Sequence, residues 1–341
     1  MMKINITDFL NERIGTPIID VRSPSEYMKG HIPSSYNIPL FSDEERTIVG
    51  TKYVRESRYS SIISGLDIVG PKLSGFVEQV SSIAPDKKVI VYCWRGGMRS
   101  ASMSWLFDLA GFNTKTLIGG YKAYRRYIKG YLSSPFKLIV LGGMTGSGKT
   151  ELLSFLSQNG IQVIDLEGIA NHKGSAFGAI GQKPQPSTEF FENLLFESLY
   201  RLDINKPIWV EDESKAIGTD YIPDEFFNQM LSSPVLTIER PLEARIERLT
   251  RDYTNCDPQL LIDAIKRITK RLGNDNAKFA IEKIVAGNFS DAVEISLRYY
   301  DKTYQYGLRN KKTNPIICLL ENEDLEKNME LILENTKHLY Q

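Results

Sequence analysis

The sequence contains few residues that bind metals or form disulfides, and it has no excess of positive or negative charge. Its 341 residues include three widely separated cysteines and three histidines, which provide neither a disulfide framework nor zinc-ligand spacing. Lys plus Arg and Asp plus Glu both number 42, so nucleic-acid binding would depend on local patches. No run of about 18 apolar residues is present, and the N-terminus lacks the apolar core of a signal peptide. We therefore expect a soluble protein of a reducing cytoplasm, without zinc and without a membrane partner.

The chain length and the order of strand and helix patterns indicate two α/β domains. The length favours about two domains, and apolar strand patterns alternate with helical patterns in both halves of the chain. A basic, tyrosine-rich helix pattern at residues 120–129 is followed by a chain break at residues 133–135. We predict one domain at residues 1–131, with a parallel sheet and flanking helices, and a second α/β domain at residues 132–341.

The first chemical motif is a cysteine between a strand and a helix. The apolar run 89–92 leads into Cys93, and a helical pattern begins near Arg99. Backbone N–H groups, the positive end of the helix dipole and the Arg99 charge would favour a thiolate here. We predict that Cys93 is a nucleophile rather than a buried structural thiol. Its predicted anion loop consists of Trp94, Arg95, Gly96, Gly97, Met98 and Arg99.

The second motif is a complete Walker A sequence between a strand pattern at residues 136–141 and a helix. Its glycines let the backbone wrap phosphates, Lys149 supplies a point charge, and the Thr150 hydroxyl can hold Mg²⁺. The motif recognises a diphosphate and does not require that this diphosphate belong to ATP. The predicted diphosphate-binding residues are Gly143, Thr145, Gly146, Ser147, Gly148, Lys149 and Thr150.

Polar residues around two later strands are candidates to assist this P-loop. An acidic group follows the strand pattern at residues 207–210, where a Walker B carboxylate would assist Mg²⁺; a solvated acidic turn is the alternative. The polar, glycine-rich stretch 165–178 is predicted to be a substrate loop with an exposed His172. The candidates are Asp165, Glu167, His172, Glu211, Asp212 and Glu213.

Three basic stretches leave two interpretations open. Residues 42–70 combine arginines with tyrosines and fit either a solvated insertion or a surface for single-stranded nucleic acid. The helix at 120–129 fits either a connector or a phosphate-backbone contact. The arginines of the helix at 241–251 fit either a phosphate-binding role or a solvated face.

The first 130 residues resemble a rhodanese domain. The resemblance is carried by Asp20-Val21-Arg22, Pro24, Glu26-Tyr27 and Gly30-His31-Ile32-Pro33, followed by the Cys93 loop. It implies that the loop cysteine handles sulfur or selenium. The Cys93-x5-Arg99 spacing is one residue longer than in most rhodaneses and also occurs in Cys-x5-Arg phosphatases. The loop could therefore hold a phosphate-bearing donor, and a phosphatase nucleophile is a further possibility.

Nearly the whole chain resembles the tRNA 2-selenouridine synthase family. The resemblance rests on the rhodanese and P-loop order, the stretch 165–178, the motif 211–218 and the tyrosine-rich motif 299–304. It implies S-geranylation of wobble 2-thiouridine by geranyl diphosphate, followed by replacement of the geranylthio group with selenium from selenophosphate. The implied partner is tRNA and not DNA, with no tightly bound cofactor apart from an optional Mg²⁺. The alternative is a rhodanese-linked P-loop kinase or ATPase that acts on a small molecule without RNA.

Overall fold

A computed structural model describes residues 2–254, 256–309 and 314–339, which divide into two units. The first extends to Tyr131, and the second begins at Leu132. Within these described ranges, no helix is long and apolar enough to cross a membrane.

The first unit contains a five-stranded sheet of order β1-β5-β4-β2-β3, in which all paired strands are parallel. Its elements are β1 Met2–Ile4, α1 Ile6–Glu12, β2 Ile18–Asp20, α2 Pro24–Lys29, β3 Ser35–Asn37, α3 Asp43–Arg55, α4 Arg58–Val69, a 3₁₀ turn at Gly70–Lys72, α5 Leu73–Ile83, β4 Lys88–Tyr92, α6 Met98–Leu109, β5 Asn113–Leu117 and α7 Gly120–Leu132. The predicted parallel sheet with flanking helices is confirmed.

The sheet is held by apolar side chains from the central strands and the helices that cover them. Val91 in β4 and Ile19 in β2 are fully buried against Val80 of α5 and Phe107 of α6. Strands that are buried on both faces read as continuous β-branched runs, which is why residues 89–91 predicted a strand. The central strand β4 ends directly before Cys93.

The segment 42–70 folds into the two helices α3 and α4. Ser42 caps α3 by accepting from the Glu45 backbone N–H, while the Glu45 carboxylate accepts from the Ser42 backbone N–H, which is a capping box. Ser61 and Gly65 of α4 are buried. This segment is therefore a packed helical pair.

The second unit contains a parallel five-stranded sheet of order β12-β11-β6-β8-β7 and a short antiparallel ladder of β9 and β10. Its elements are β6 Leu138–Gly143, α8 Lys149–Gln158, β7 Val163–Ile164, α9 Leu166–Ala170, α10 Thr188–Tyr200, β8 Ile208–Glu211, β9 Ala216–Ile217, β10 Asp220–Tyr221, α11 Asp224–Ser232, β11 Val235–Glu239, α12 Leu242–Thr254, α13 Pro258–Leu272, α14 Asn274–Val285, α15 Phe289–Arg309, β12 Ile316–Leu319, α16 Leu325–Thr336 and a 3₁₀ turn at Lys337–Leu339. The predicted P-loop-type α/β layout is confirmed.

Two apolar clusters stabilise this unit. The first lies at the sheet and includes Leu141, Trp209 and Ile238, and buried Cys318 of β12 belongs to it. The second joins α13, α14 and α15 and includes Ile265 and several small residues such as Ala264, Ala280 and Ala292. The chain therefore builds a separate helical layer after β11.

Candidate active site

Cys93 lies at the point where the central strand of the first sheet gives way to α6. It is 3% exposed, and its Sγ accepts a hydrogen bond from the Gly97 backbone N–H at 3.3 Å. The hydroxyl of Ser100, in the first turn of α6, is also 3.3 Å from Sγ. The sulfur thus lies at a helix start, beside one backbone N–H and one hydroxyl, where the helix dipole favours negative charge.

The backbone of the Cys93 loop is held by the start of α7. The Tyr121 N–H donates to the Cys93 carbonyl at 2.9 Å, and the Lys122 N–H donates to the Trp94 carbonyl at 3.0 Å. Gly120 has φ +57°, and a Cβ there would collide with the Cys93 carbonyl, so only glycine allows this approach. The basic helix predicted at residues 120–129 therefore supports the loop through its first turn.

Arg99 is paired with a carboxylate that sequence reasoning did not identify. Its guanidinium donates to both oxygens of Glu26 on α2, with Nη1–Oε2 2.5 Å and Nη2–Oε1 3.2 Å. Burial alone would raise the pKa of Glu26, but the Arg99 hydrogen bonds and charge bring it below its usual value. The expected Arg99 charge beside the cysteine is therefore oriented and partly balanced. The exposed Arg95 and the half-exposed Trp94 complete the outer side of the loop.

The other polar residues of the rhodanese-like motif are structural. Asp20 and Arg22 form a fully buried ion pair at 2.6 Å, and Arg22 lies over the Tyr121 ring at 4.0 Å. His31 Nδ1 is 3.0 Å from the Tyr27 carbonyl, and its ring stacks on Tyr27. These contacts give His31 a structural hydrogen-bonding role.

The Walker A residues of the second unit form a loop between β6 and α8. Gly143, Gly146 and Gly148 have φ values of +151°, +81° and +89°, which favour glycine. The Lys149 Nζ donates to the Gly143 carbonyl at 2.8 Å and so reaches across the loop. Ser147 is buried within it. A glycine-rich loop at a helix start, with a lysine reaching across it, is an arrangement that can bind phosphate groups.

Two arginines, one just after β11 and one in α12, hold this P-loop by its carbonyl groups. Arg245 donates to the Thr145 carbonyl at 3.1 Å and makes a bidentate pair with Asp301 at 2.7 and 2.8 Å. Arg240, just after β11, donates to the Ser147 carbonyl at 2.9 Å. Arg245 is 3% exposed, which excludes a solvated face at this position.

Arg248 lies against the P-loop glycine Gly148, and its guanidinium pairs with Glu151 and Glu323. Its charge is therefore shared with carboxylates. The exposed Arg251 lies farther along the same helix. Asp301 belongs to the tyrosine-rich motif at 299–304, and its link to Arg245 gives that motif a place in the P-loop support.

Three predicted acids come together beside the P-loop. The Thr150 hydroxyl donates to Glu167 Oε2 at 3.0 Å, and the Glu167 backbone N–H donates to Glu211 Oε2 at 3.1 Å. Burial raises the pKa of Glu167 against the opposing Lys149 charge. Burial and the Glu167 charge raise the pKa of Glu211 well above its usual value and that of Glu213 to about 8.

Asp165 and Asp212 border this carboxylate cluster. Asp165 caps α9 by accepting from the Gly168 N–H at 2.7 Å, and its charge further raises the pKa of Glu211. Asp212 follows β8, and its N–H donates to the Leu141 carbonyl at 3.0 Å. Hydroxyl and carboxylate oxygens are the ligands that Mg²⁺ prefers, so the donor set around Thr150 suits this ion. In the described parts of the chain, no three His, Cys, Asp or Glu side chains form a ready metal cage.

The expectation of an exposed His172 is wrong. His172 is 8% exposed, because Asn171 ends α9 in the left-handed conformation and turns the chain inward. Gly178 and Gly218 pack on the imidazole so closely that a Cβ at either would lie 2.7 Å from a ring carbon. Burial and the Arg267 charge lower the pKa of His172. The stretch 165–178 is therefore partly helix and partly a packed turn around a neutral imidazole.

The fold and the two sites define the class: a rhodanese-like domain with a loop cysteine joined in one chain to a P-loop domain. Residues 7–127 match the rhodanese-like domain family, and residues 136–335 match the tRNA 2-selenouridine synthase AAA domain. The chain belongs to the tRNA 2-selenouridine synthase family, a family of tRNA-modifying enzymes.

Curated relatives are similar over almost the whole chain. The tRNA 2-selenouridine synthase of Nitrosomonas europaea is 33% identical over 88% of this chain and 91% of its own length. The enzymes of the same name from Shewanella oneidensis and Sulfurovum sp. are 35% and 36% identical over 87% and 85% of this chain. They are matched over 87% and 88% of their own lengths.

Proposed function

We propose that this chain converts wobble 2-thiouridine of tRNA to 2-selenouridine through an S-geranylated intermediate, using geranyl diphosphate and selenophosphate. Family membership supports tRNA as the substrate. The observation that carries the two-step proposal is the presence of two chemically different anion sites. One holds a nucleophilic sulfur at Cys93, and the other holds a lysine and a hydroxyl at Lys149 and Thr150.

In the first step, the P-loop N–H groups and Lys149 bind the diphosphate of the prenyl donor. Mg²⁺, held by Thr150 and a neighbouring carboxylate, would neutralise charge on the diphosphate. The thiocarbonyl sulfur attacks C1 of the geranyl chain, and the C1–O bond breaks with its electron pair passing to diphosphate. The base loses its N3 proton. The ionised fraction of Glu213, whose pKa is raised to about 8, can accept this proton, and that fraction grows as the pH rises toward 8.

The oxidation level of selenium restricts the role of Cys93 in the second step. Selenophosphate carries selenium at the selenide level, so a perselenide on Cys93 would require a two-electron oxidant. A redox-neutral step is available: the Cys93 thiolate attacks phosphorus, and the P–Se bond breaks with its electrons passing to selenium. Hydrogen selenide needs no general acid to leave. The neighbours of Cys93 Sγ, the Gly97 N–H and the Ser100 hydroxyl, agree with this, since neither is a carboxylic acid.

The released selenide then attacks C2 of the S-geranylated base. The C2–S bond breaks, geranylthiol leaves with a proton, and the proton carried by selenium returns to N3. Water hydrolyses the phosphocysteine to phosphate and restores Cys93. The prenyl group serves this step because it makes the sulfur a better leaving group.

Nucleoside mass spectrometry tests the proposal. A tRNA that carries wobble 2-thiouridine is incubated with the enzyme, geranyl diphosphate and selenophosphate. The expected result is transient S-geranyl-2-thiouridine followed by 2-selenouridine. If 2-selenouridine formed equally well without geranyl diphosphate, the intermediate would be excluded. If the protein left tRNA unmodified but turned over ATP steadily, the kinase or ATPase alternative would replace the synthase.

A further inference from the structure

An apolar cleft in the helical layer of the second unit begins at the P-loop. Thr145 of the P-loop lines it, together with Leu249 of α12, Ile265 of α13 and Ala292 and Leu297 of α15. The free space between the facing side chains is about 30 Å³, so the cleft is narrow and a bound chain would have to part its walls. One end of this space therefore lies at the predicted diphosphate site, and most of the remaining wall is apolar.

Two of the hydroxyl groups in the cleft wall are already engaged. Ser296 donates to the Ala292 carbonyl at 2.9 Å, and the Tyr300 hydroxyl accepts from the Ala176 N–H at 3.0 Å. A ribose or a purine in this space would lose its hydrogen bonds to water without finding replacements, which is costly. A hydrocarbon chain would gain from the same burial, because apolar transfer stabilises by about 0.8 kcal/mol per CH₂ group.

We propose that this cleft binds the hydrocarbon tail of the prenyl diphosphate whose head group lies on the P-loop. The inference rests on the proposed geranylation and deepens it by naming the tail subsite. A phosphate cradle that continues into an apolar cleft matches an amphiphile with a charged head and an apolar tail. Phe177 and Tyr253, which also line the cleft with ring centroids 5.5 Å apart, provide aromatic faces for an allylic chain that gains positive charge as its C–O bond weakens.

The test compares two ligands that share a head group and differ in the tail. Calorimetry measures the affinities of geranyl diphosphate and inorganic pyrophosphate for the full chain and for Ala292→Phe, which fills the cleft. Geranyl diphosphate affinity should fall by roughly tenfold or more, because several carbons lose their site, while pyrophosphate affinity stays unchanged. The matched control is Val285→Phe in α14. Val285 is 73% exposed, so this variant should leave both affinities unchanged.

Wild-type geranylation of tRNA, measured in parallel, separates the two hypotheses. If the wild type forms no geranylated tRNA, the proposed function fails. If it does and Ala292→Phe binds geranyl diphosphate like the wild type, the tail site alone is wrong. An equal loss for both ligands would also overturn the tail site.

If Ala292→Phe does not fold, as judged by circular dichroism, Leu297→Ala decides. This variant enlarges the cleft and should raise the ratio of farnesyl to geranyl transfer by roughly fivefold or more. An unchanged ratio would exclude the cleft as the tail site.

Discussion

The Arg99 guanidinium and the Glu26 carboxylate, 73 residues apart in sequence, form a two-point hydrogen-bonded pair beside the Cys93 loop. Glu26 Oε2 also accepts from the Ser23 N–H at 3.2 Å, as part of the capping box of α2. The orientation of the Arg99 guanidinium is therefore set by the N-terminus of α2 in the first unit. This pair joins the two motifs on which the rhodanese resemblance rests.

The first prediction concerns this pair. Glu26→Gln removes a charge-assisted hydrogen bond, so Arg99 loses its fixed orientation toward the anion loop. We expect the KM for selenophosphate to rise by roughly three- to tenfold, with geranylation unchanged. Steady-state selenation assays measure this, with Glu12→Gln, in the more exposed pair with Lys115, as the control. A lower KM would show that Glu26 competes with the donor for Arg99.

The second prediction separates the two steps. Cys93→Ala removes the sulfur while leaving the strand and helix that flank it, so selenation should be lost and S-geranylated tRNA should accumulate. Nucleoside mass spectrometry measures both products. Intact-protein mass spectrometry of the wild type with selenophosphate should show a phosphoryl adduct on Cys93. Loss of both steps in Cys93→Ala would contradict the division of roles.

The third prediction concerns the P-loop. Lys149→Ala removes the charge that reaches across the loop to the Gly143 carbonyl. Geranylation should fall by on the order of a hundredfold or more, because the leaving diphosphate loses its main side-chain cation. Lys206→Ala, at an exposed lysine of the same unit, is the control. Selenation of tRNA that already carries the geranyl group should persist in Lys149→Ala, and unchanged geranylation would remove the P-loop from the mechanism.

The fourth prediction uses two glycines with similar backbone conformations. Gly174 has φ +66° and Gly160 has φ +80°, so an alanine at either should cost roughly 1–2 kcal/mol of stability. A Cβ at Gly174 would lie 2.7 and 2.9 Å from the carboxylate oxygens of Glu213, whereas one at Gly160 has free space.

Geranylation should therefore fall by about tenfold in Gly174→Ala and stay near wild type in Gly160→Ala. Thermal melting and single-turnover geranylation separate the two effects. Equal activities in the two variants would show that the Glu213 position is unimportant for the reaction.

The fifth prediction is a pH dependence of stability. The folded protein holds the Glu213 proton up to a pH of about 8, whereas the unfolded chain releases it near the ordinary value of 4.5. Between these two pH values the folded state binds more protons than the unfolded chain. The contribution of Glu213 to the free energy of unfolding is therefore fully present below the unfolded-state pKa and is lost as the pH rises to the folded-state pKa. The raised pKa values of Glu167 and Glu211 act in the same direction.

Without metal or ligand, the melting temperature should therefore fall between pH 5 and about 8.5. The Glu213→Gln variant should show a shallower fall, and its melting temperature should be a few degrees above that of the wild type at the upper end of this range. Differential scanning calorimetry measures both. The control is Glu282→Gln, on the exposed face of α14. A wild-type slope in Glu213→Gln would place the titration elsewhere.

The sequence alone determined the features that depend on neighbouring residues. A β-branched run before Cys93 and a Walker A motif between strand and helix define local backbone geometry, and the alternation of strands and helices predicts parallel sheets. These patterns were sufficient for the fold class of both units and for the places in the chain where the Cys93 loop and the Walker A loop lie.

Only the tertiary structure decided which distant side chains meet. Arg245 pairs with Asp301, which lies 56 residues later in the chain, and Thr150 donates to Glu167 at the end of the sheet. The packing directions of the helices bring these side chains together. The burial of His172 likewise follows from a left-handed turn and two close glycines, which no composition pattern reveals. The local sequence defines the Cys93 loop and the Walker A loop, and long-range packing decides how the charges beside them are oriented and balanced.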